Sequence, residues 1–119
     1  MKHRFLTVAA ALLTLLTGIG TCAARTGDFP IRAFHLDFRT EVMTLDAMKS
    51  LVDRISERGI NTLVMEWEAA FPFDKHATLS NASAFTREEV TSFIDYCEGR
   101  GVEVIPLQNC FGHCEYILR

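Results

Sequence analysis

Three apolar segments of the chain each end in polar side chains that could do chemistry. The segments read RAFHLDFR, INTLVMEWE and VEVIPLQNCFGHCE. Their polar or aromatic ends are Asp37 and Arg39 in the first, Glu66, Trp67 and Glu68 in the second, and Gln108, Asn109, Cys110, His113, Cys114 and Glu115 in the third. Parallel α/β sheets carry their sites at the carboxyl ends of strands. The pattern predicts three parallel strands that deliver these residues to one face.

Arg39 and the carboxylates suit the recognition of a sugar ring. A guanidinium can donate two parallel hydrogen bonds to hydroxyls or a carboxylate, with Asp37 holding it in place. Glu66 and Glu68 alternate along an extended segment and would share one side of it. Between them, Trp67 could cover the apolar face of a sugar. The alternatives are a structural ion pair at Arg39, and one buried and one solvated glutamate.

Cys110, His113 and Cys114 have a C-x2-H-C spacing that only weakly resembles a zinc site. Structural zinc is usually four-coordinate, and no second cluster in the sequence completes the set. We therefore expect no metal and no cofactor. His113 is interpreted as a hydrogen-bonding group of a substrate pocket, and the cysteines as small buried residues.

Two helices separate the three predicted strands. Apolar residues at helical spacing follow Thr44, the expected N-cap, and Gly59 closes this helix where a positive φ is favoured. Thr86 to Glu89 reads as a capping box for the second helix. The connection 67–85 is long for a βα loop and rich in aromatic residues, which is typical of a functional loop. A third helix is predicted to start within 112–119.

The order β-α-β-α-β predicts an α/β fold with a parallel sheet. We expect about three βα units, the N-terminal part of a (β/α)8 TIM barrel, because the 95 residues from 25 to 119 are under half of the roughly 250 that such a barrel needs. The expected domains are a targeting segment, 1–24, and a partial barrel, 25–119, cut short before a fourth strand.

Residues 1–24 have the form of a secretory signal peptide, with a basic start, an apolar stretch and a small-residue end. Ile19 to Cys22 also loosely resembles a lipobox, which would place a lipid on Cys22. The protein is therefore expected to be exported, periplasmic or extracellular, with no stable membrane span after cleavage. Its net charge of −3 and its lack of basic runs argue against nucleic acid as a partner.

The segments FHLDFR, GINTLVMEWEAAFPF, AFTREEV and GVEVIPLQNCFGHCEYIL resemble the start of the catalytic barrel of glycoside hydrolase family 20, in its hexosaminidase D-like branch. Phe111 stands where the family usually has a proline. The resemblance implies a β-N-acetylhexosaminidase with a substrate-assisted, retaining mechanism, in which the acetamido oxygen of the substrate attacks the anomeric carbon. The catalytic Asp–Glu pair of the family follows a fourth strand, so it is expected beyond Arg119, and no catalytic residue is expected in this chain.

The resemblance also implies roles for the residues that are present. Arg39 matches the arginine that binds the hydroxyls of the terminal sugar, and His113 matches a histidine that lines the pocket. Asp37, Glu66 and Glu115 are expected to support them, and Trp67 completes the predicted substrate-binding set.

The expected partner is a glycan that carries N-acetylhexosamine. The first hypothesis is the N-terminal fragment of an exported glycosidase of this kind, inactive by itself. The alternatives are a non-catalytic carbohydrate-binding protein that uses the aromatic loop, or another sugar-processing TIM barrel.

Overall fold

A computed structural model of the chain describes residues 29–118. The predicted signal peptide and Cys22 lie outside the described residues. Three parallel strands form one sheet in the order β1-β2-β3, with bounds Ala33–Asp37, Thr62–Glu66 and Glu103–Leu107. The predicted parallel α/β arrangement is confirmed, with each strand shorter than the apolar segment that contains it.

Two helices connect the strands, and both begin where the sequence predicts. Helix α1 spans Leu45–Ser56, and the backbone N–H of Ala47 donates to the Thr44 side chain over 3.3 Å. Helix α2 spans Arg87–Glu98, and Thr86 and Glu89 form the reciprocal pair of a capping box. Each cap satisfies N–H groups that have no partner inside the helix, which fixes the point where the chain leaves the loop.

One face of the sheet packs against both helices and forms the core. Leu63 and Met65 of β2 are fully buried there, against Met48 and Val52 of α1 and Phe93 of α2. Each such side chain contributes about 1.5–3 kcal/mol of hydrophobic free energy when buried. Because side chains alternate along a strand, Thr62, Val64 and Glu66 point to the opposite face. That face carries no helix among the described residues.

The long connection between β2 and α2 is confirmed and contains two short 3-10 helices, Glu68–Ala70 and Ala77–Leu79. Its aromatic residues pack among themselves and onto the core. The ring of Phe85 lies 6.1 Å from Phe38 and 5.7 Å from Trp67, measured between centroids. The loop therefore packs at the carboxyl end of the sheet, on the side where Phe38 and Trp67 join the core.

Residues 112–118 do not form the predicted helix. They make a single turn, in which the N–H groups of Ile117 and Leu118 donate to the carbonyl of Cys114. Pro106 lies inside β3, one residue before its end, opposite Met65. A proline is tolerated there because β3 is an edge strand of the described sheet. No helix within residues 29–118 combines the length and the apolar character needed to cross a bilayer.

Candidate functional site

A polar cluster occupies the carboxyl ends of β1 and β2 and the residues just after β3. The register pairs Asp37 with Glu66, and Glu66 with Leu107. The three strands are parallel, so their carboxyl ends meet at one edge of the sheet. We call the following residues the rim cluster: His35, Asp37, Arg39, Glu66, Glu68 and Asn109.

Arg39 is held on one side of its guanidinium by two carboxylates. Its Nε donates to Oδ2 of Asp37 over 2.8 Å, and its Nη2 lies 2.6 Å from the same oxygen. Its Nε also lies 3.3 Å from Oε1 of Glu66. Arg39 holds the pKa of the Asp37 carboxyl below its ordinary value through this hydrogen bond, and Asp37 in turn raises the pKa of the guanidinium.

Glu66 is the buried centre of the cluster, with 4% of its surface exposed. Its Oε2 lies 3.0 Å from Nε2 of His35, a residue on the same face of β1 as Asp37. Its Oε1 accepts a hydrogen bond from Nδ2 of Asn109 over 2.5 Å. Since both oxygens of this buried carboxylate have partners, the usual cost of burying an unpaired charge is offset.

Glu68 adds a second buried carboxylate, with 7% exposure, and its backbone adopts φ 51°. Non-glycine residues rarely take this left-handed conformation, and they tend to do so at functional sites. The left-handed backbone starts the 3-10 turn, and Oε1 of Glu68 accepts a hydrogen bond from Nδ2 of Asn109 over 2.7 Å. Burial raises the pKa of Glu68, and Asn109 acts in the opposite direction.

The segment after β3 fixes Asn109. The carbonyl of Asn109 accepts from Nε2 of Gln108 over 3.1 Å and from Sγ of Cys114 over 3.5 Å. The same Gln108 amide donates to the hydroxyl of Tyr116, which is 5% exposed. Burial raises the pKa of Tyr116. The contacts of Gln108 and Cys114 thus hold the backbone of Asn109 in place, and its side chain extends to the two glutamates.

Of the residues that the sequence predicts for substrate binding, the structure brings Asp37, Arg39 and Glu66 together. Trp67 lies elsewhere, because it follows Met65 on the helix-covered side of the sheet. It is 6% exposed and contacts Phe38, Phe71, Phe85 and Phe93 edge-on or obliquely. The expected ring for a sugar to stack on is therefore a core side chain.

His113 and Glu115 are exposed on the segment after β3. Within residues 29–118, no hydrogen bond or ion pair joins either of them to the rim cluster. The backbone of His113 is left-handed, with φ 55°, as at Glu68. Their roles stay predictions. No group of three His, Cys, Asp or Glu side chains in the described part of the chain is arranged to hold a metal ion.

The sequence analysis names Glu68 and Asn109 among the polar strand ends but leaves them, and His35, out of the substrate-binding set, although a signal exists for His35 and Asn109. His35 shares its face with Asp37 by strict alternation, and Asn109 continues the alternation of Ile105 and Leu107 past the end of β3. Glu68 was weighed as a partner of Glu66 by the same rule. The structure pairs the two instead through a left-handed turn, which alternation does not predict.

The rim cluster gathers three carboxylates around one guanidinium and one imidazole. Two of the carboxylates belong to Glu66 and Glu68, which are under a tenth exposed. Such a site can accept hydrogen bonds from several hydroxyl groups and donate from Arg39. Its surplus of negative charge disfavours an anionic ligand.

No family model matches the chain. Two relatives in sequence are the proteins called Hexosaminidase D in Bos taurus and Homo sapiens. The bovine protein is 28% identical over 90 residues, which are 75% of this chain and 26% of the relative. The human protein is 28% identical over 92 residues, or 76% of this chain and 19% of the relative. The chain therefore spans about a quarter or less of these relatives.

Solved structures with the same fold include a chitobiase from Flavobacterium johnsoniae, with a TM-score of 0.70 and 23% identity. A GH20 β-N-acetylhexosaminidase from Streptomyces coelicolor has a TM-score of 0.69 and 19% identity. Each match covers 76% of this chain, and 15% and 22% of the respective structures. The predicted fold, about three βα units of a TIM barrel, is confirmed. The resemblance of the chain to the hexosaminidase D-like branch of glycoside hydrolase family 20 is likewise confirmed, for about three quarters of its length.

Proposed function

We propose that this chain supplies the sugar-binding wall of a β-N-acetylhexosaminidase, a glycosidase that removes terminal β-linked N-acetylhexosamine. One observation carries the proposal. Asp37, Arg39 and Glu66 form a connected group at the carboxyl ends of β1 and β2, in a fold shared with GH20 enzymes. The names of the relatives in sequence support the same activity.

Arg39 binds the ring hydroxyls of the terminal sugar in this proposal. Asp37 and Glu66 contact its Nε–Nη2 side, and among the described residues Nη1 donates no hydrogen bond. A guanidinium held in one plane loses less freedom when it binds a pair of hydroxyls, so the affinity gained is larger. The two carboxylates therefore act on the substrate through Arg39.

The charge of the rim cluster favours a neutral sugar. Asp37, Glu66 and Glu68 face a single guanidinium, and a carboxylate or sulfate on the substrate would meet this surplus of negative charge. N-acetylhexosamine is uncharged and rich in hydroxyl donors, so it suits the site. A uronic acid does not.

The bond-breaking step is proposed to be substrate-assisted. The acetamido oxygen attacks the anomeric carbon, the glycosidic oxygen leaves with a proton from a general acid, and water then opens the cyclic intermediate with retention. No residue of this chain is assigned as the acid or as the group that orients the acetamide. The 119-residue chain by itself is expected to show no turnover.

Export is part of the proposal. The basic, apolar and small-residue pattern of residues 1–24 supports it, with lipid attachment at Cys22 as the alternative to plain cleavage. The mature protein would then meet glycans outside the cytoplasm. Mass spectrometry of the protein secreted by its own host distinguishes a cleaved N-terminus from a lipidated Cys22.

The test measures the release of 4-nitrophenol by the protein encoded by the longest reading frame that contains this chain. The substrates are the 4-nitrophenyl β-glycosides of N-acetylglucosamine and N-acetylgalactosamine, with the β-glucoside and the β-glucuronide as controls. We expect turnover of the acetamido sugars alone, and inhibition by the thiazoline analogue of the cyclic intermediate. A folded protein that hydrolyses none of these substrates contradicts the proposal, and turnover of the plain glucoside contradicts the substrate-assisted step.

A further inference from the structure

The amide of Asn109 bridges two buried glutamates that are far away in sequence. Its Nδ2 lies 2.5 Å from Oε1 of Glu66 and 2.7 Å from Oε1 of Glu68. An amide nitrogen carries two hydrogens, so it can donate one to each carboxyl group. We propose that Asn109 is a positioning residue of the sugar site, which holds the carboxyl groups of Glu66 and Glu68 together and so fixes Glu66 against Arg39. This inference rests on the proposed function.

The two carboxyl groups are buried and are joined through one amide nitrogen. Glu66 and Glu68 are 4% and 7% exposed, and each accepts from the same nitrogen. Two like charges that share a site force one group to keep its proton longer. Burial first, and the neighbouring Glu66 in addition, raises the pKa of Glu68.

The two glutamates differ in their charged partners. Nε of Arg39 lies 3.3 Å from Oε1 of Glu66, and Nε2 of His35 lies 3.0 Å from its Oε2. Glu68 has no ion pair within residues 29–118. The titratable or charged groups that face Glu68 are Asp37 and Arg39 from the end of β1, Glu66 from β2 and Tyr116 from the segment after β3.

The bridge reaches the substrate through Arg39. Oε1 of Glu66 is the atom that accepts from Asn109, and it is also the atom that contacts Nε of Arg39. Fixing this oxygen fixes one of the two carboxylates that hold the guanidinium plane, the other being Asp37. The left-handed backbone of Glu68 fits the same role, since a strained conformation persists only where its surroundings hold it.

A purely structural role for Asn109 would be to tie the segment after β3 to β2. Both roles predict some loss of stability when Asn109 is changed. Only the bridge predicts a change in how the site responds to pH, because the hydrogen bond from Asn109 lowers the pKa of Glu68.

The decisive variant is Asn109→Asp, made in the longest reading frame that contains this chain. It keeps the shape of the side chain and replaces the donor by a third carboxylate. We expect kcat/KM for the N-acetylglucosaminide to fall about tenfold at pH 7, the order of one or two lost hydrogen bonds. The loss should shrink toward twofold at pH 5, because protonation of the aspartate restores a donor. Asn109→Ser, with one donor, should show a smaller loss in the same direction.

Asn81→Asp is the matched control, since Asn81 is exposed and its Oδ1 accepts from the N–H of Ser83. The same substitution there should leave the pH profile unchanged. If folded Asn109→Asp and Asn109→Ser proteins show the wild-type dependence of kcat/KM on pH between pH 5 and pH 8, the bridge is overturned.

A second measurement does not depend on activity. In protein labelled with 13C at the glutamate carboxyl carbons, the signal absent from Glu68→Gln is assigned to Glu68. When this signal is followed as a function of pH, its titration midpoint should lie above the ordinary pKa of glutamate. The midpoint should rise further in Asn109→Asp, because the hydrogen bond that lowers the pKa of Glu68 is lost. An unchanged midpoint overturns the bridge even if the enzyme is active. A raised midpoint in a protein with no glycosidase activity supports the bridge and rejects the proposed function.

Discussion

Two of the Asp–Arg ion pairs within residues 29–118, Asp37–Arg39 and Asp53–Arg100, differ in the groups that surround them. In the rim cluster, Arg39 meets Asp37 and Glu66 at the carboxyl end of the sheet. In a second group, which we call the helix cluster, Arg100 meets Asp53 and Tyr96 on the outer surface of α1 and α2. The same ion pair is therefore placed in two different electrostatic settings.

The helix cluster is exposed and contains a single carboxylate. Nε of Arg100 donates to Asp53 over 2.8 Å, and their side chains are 43% and 42% exposed. Lys49 and Arg100 both lie over the ring of Tyr96, at 5.4 and 4.2 Å from its centroid. Exposed pairs of this kind contribute little to stability. This cluster joins two helices and has no surplus of carboxylates, because Lys49 and Arg100 accompany its one aspartate.

The rim cluster carries a surplus of carboxylates, two of which are buried. Asp37 has a lowered pKa because Arg39 donates to it, while burial raises the pKa of Glu68. A carboxyl whose pKa is raised by burial is typical of sites selected for binding or chemistry, whereas in the helix cluster the raised pKa of Tyr96 comes first from its hydrogen bond to Asp53. An Asp–Arg ion pair by itself therefore does not indicate a functional site. The charge and the burial of the neighbouring groups do.

The largest expected effect comes from the core that lies beneath the rim cluster. Trp67→Ala removes a ring that is 6% exposed and should lower the free energy of unfolding by about 3–5 kcal/mol. Urea denaturation measures this change. The thiol of Cys97, whose pKa burial raises to about 11, should at the same time become reactive toward a disulfide reagent. If Trp67→Ala instead keeps its stability and loses only substrate affinity, Trp67 belongs to the sugar site after all.

The same substitution in the two arginines separates the two clusters by function. Arg39→Ala should lower kcat/KM for the acetamido substrate about 10- to 100-fold, because charge-assisted hydrogen bonds to hydroxyl groups are lost. Arg100→Ala should leave kcat/KM within about twofold, since it removes a solvated pair. Steady-state kinetics on both variants makes the comparison. Equal losses would show that Arg39 has no special role.

Glu68→Gln should stabilise the fold at neutral pH. Glutamine imitates the protonated carboxyl, so the free energy of unfolding should rise by an amount on the order of 1 kcal/mol, seen as a higher midpoint in urea denaturation. A carboxyl with a raised folded-state pKa stabilises the fold below its unfolded pKa, and this contribution is lost as the pH rises through the folded value. The advantage of glutamine should therefore disappear as the pH is lowered. An advantage that persists unchanged in acid contradicts the raised pKa of Glu68.

The sequence predicts the scaffold well because its signals are local. Thr44 and Thr86 start their helices through contacts three residues away, and Gly59 takes φ 81° at the end of α1 as its position suggests. Asp37 and Arg39 are also near in sequence, so their pairing is predictable.

The contacts that complete the site are not local. Asn109 meets Glu66 and Glu68 across 43 and 41 residues, through a register that only the folded sheet defines. Trp67 was predicted to face a sugar because it stands between two glutamates, but alternation from the buried Met65 turns it into the core. Burial, rather than the identity of neighbouring residues, decided its role.

The smallest expected effect is Asp53→Asn in the helix cluster. It removes an exposed charge that holds the hydroxyl of Tyr96 over 2.8 Å and raises the pKa of that tyrosine. The lowered pKa of Asp53 means that its contribution is present above the unfolded pKa and is lost as the pH falls through the folded value. We expect the melting temperature to fall by about 2 °C at neutral pH and low salt, and not at all in acid or in 1 M NaCl. The matched Asp37→Asn should change substrate affinity far more than melting temperature, because it releases Arg39. If Asp53→Asn also altered kcat/KM, the helix cluster would be coupled to the site, and the two ion pairs could no longer be treated as independent.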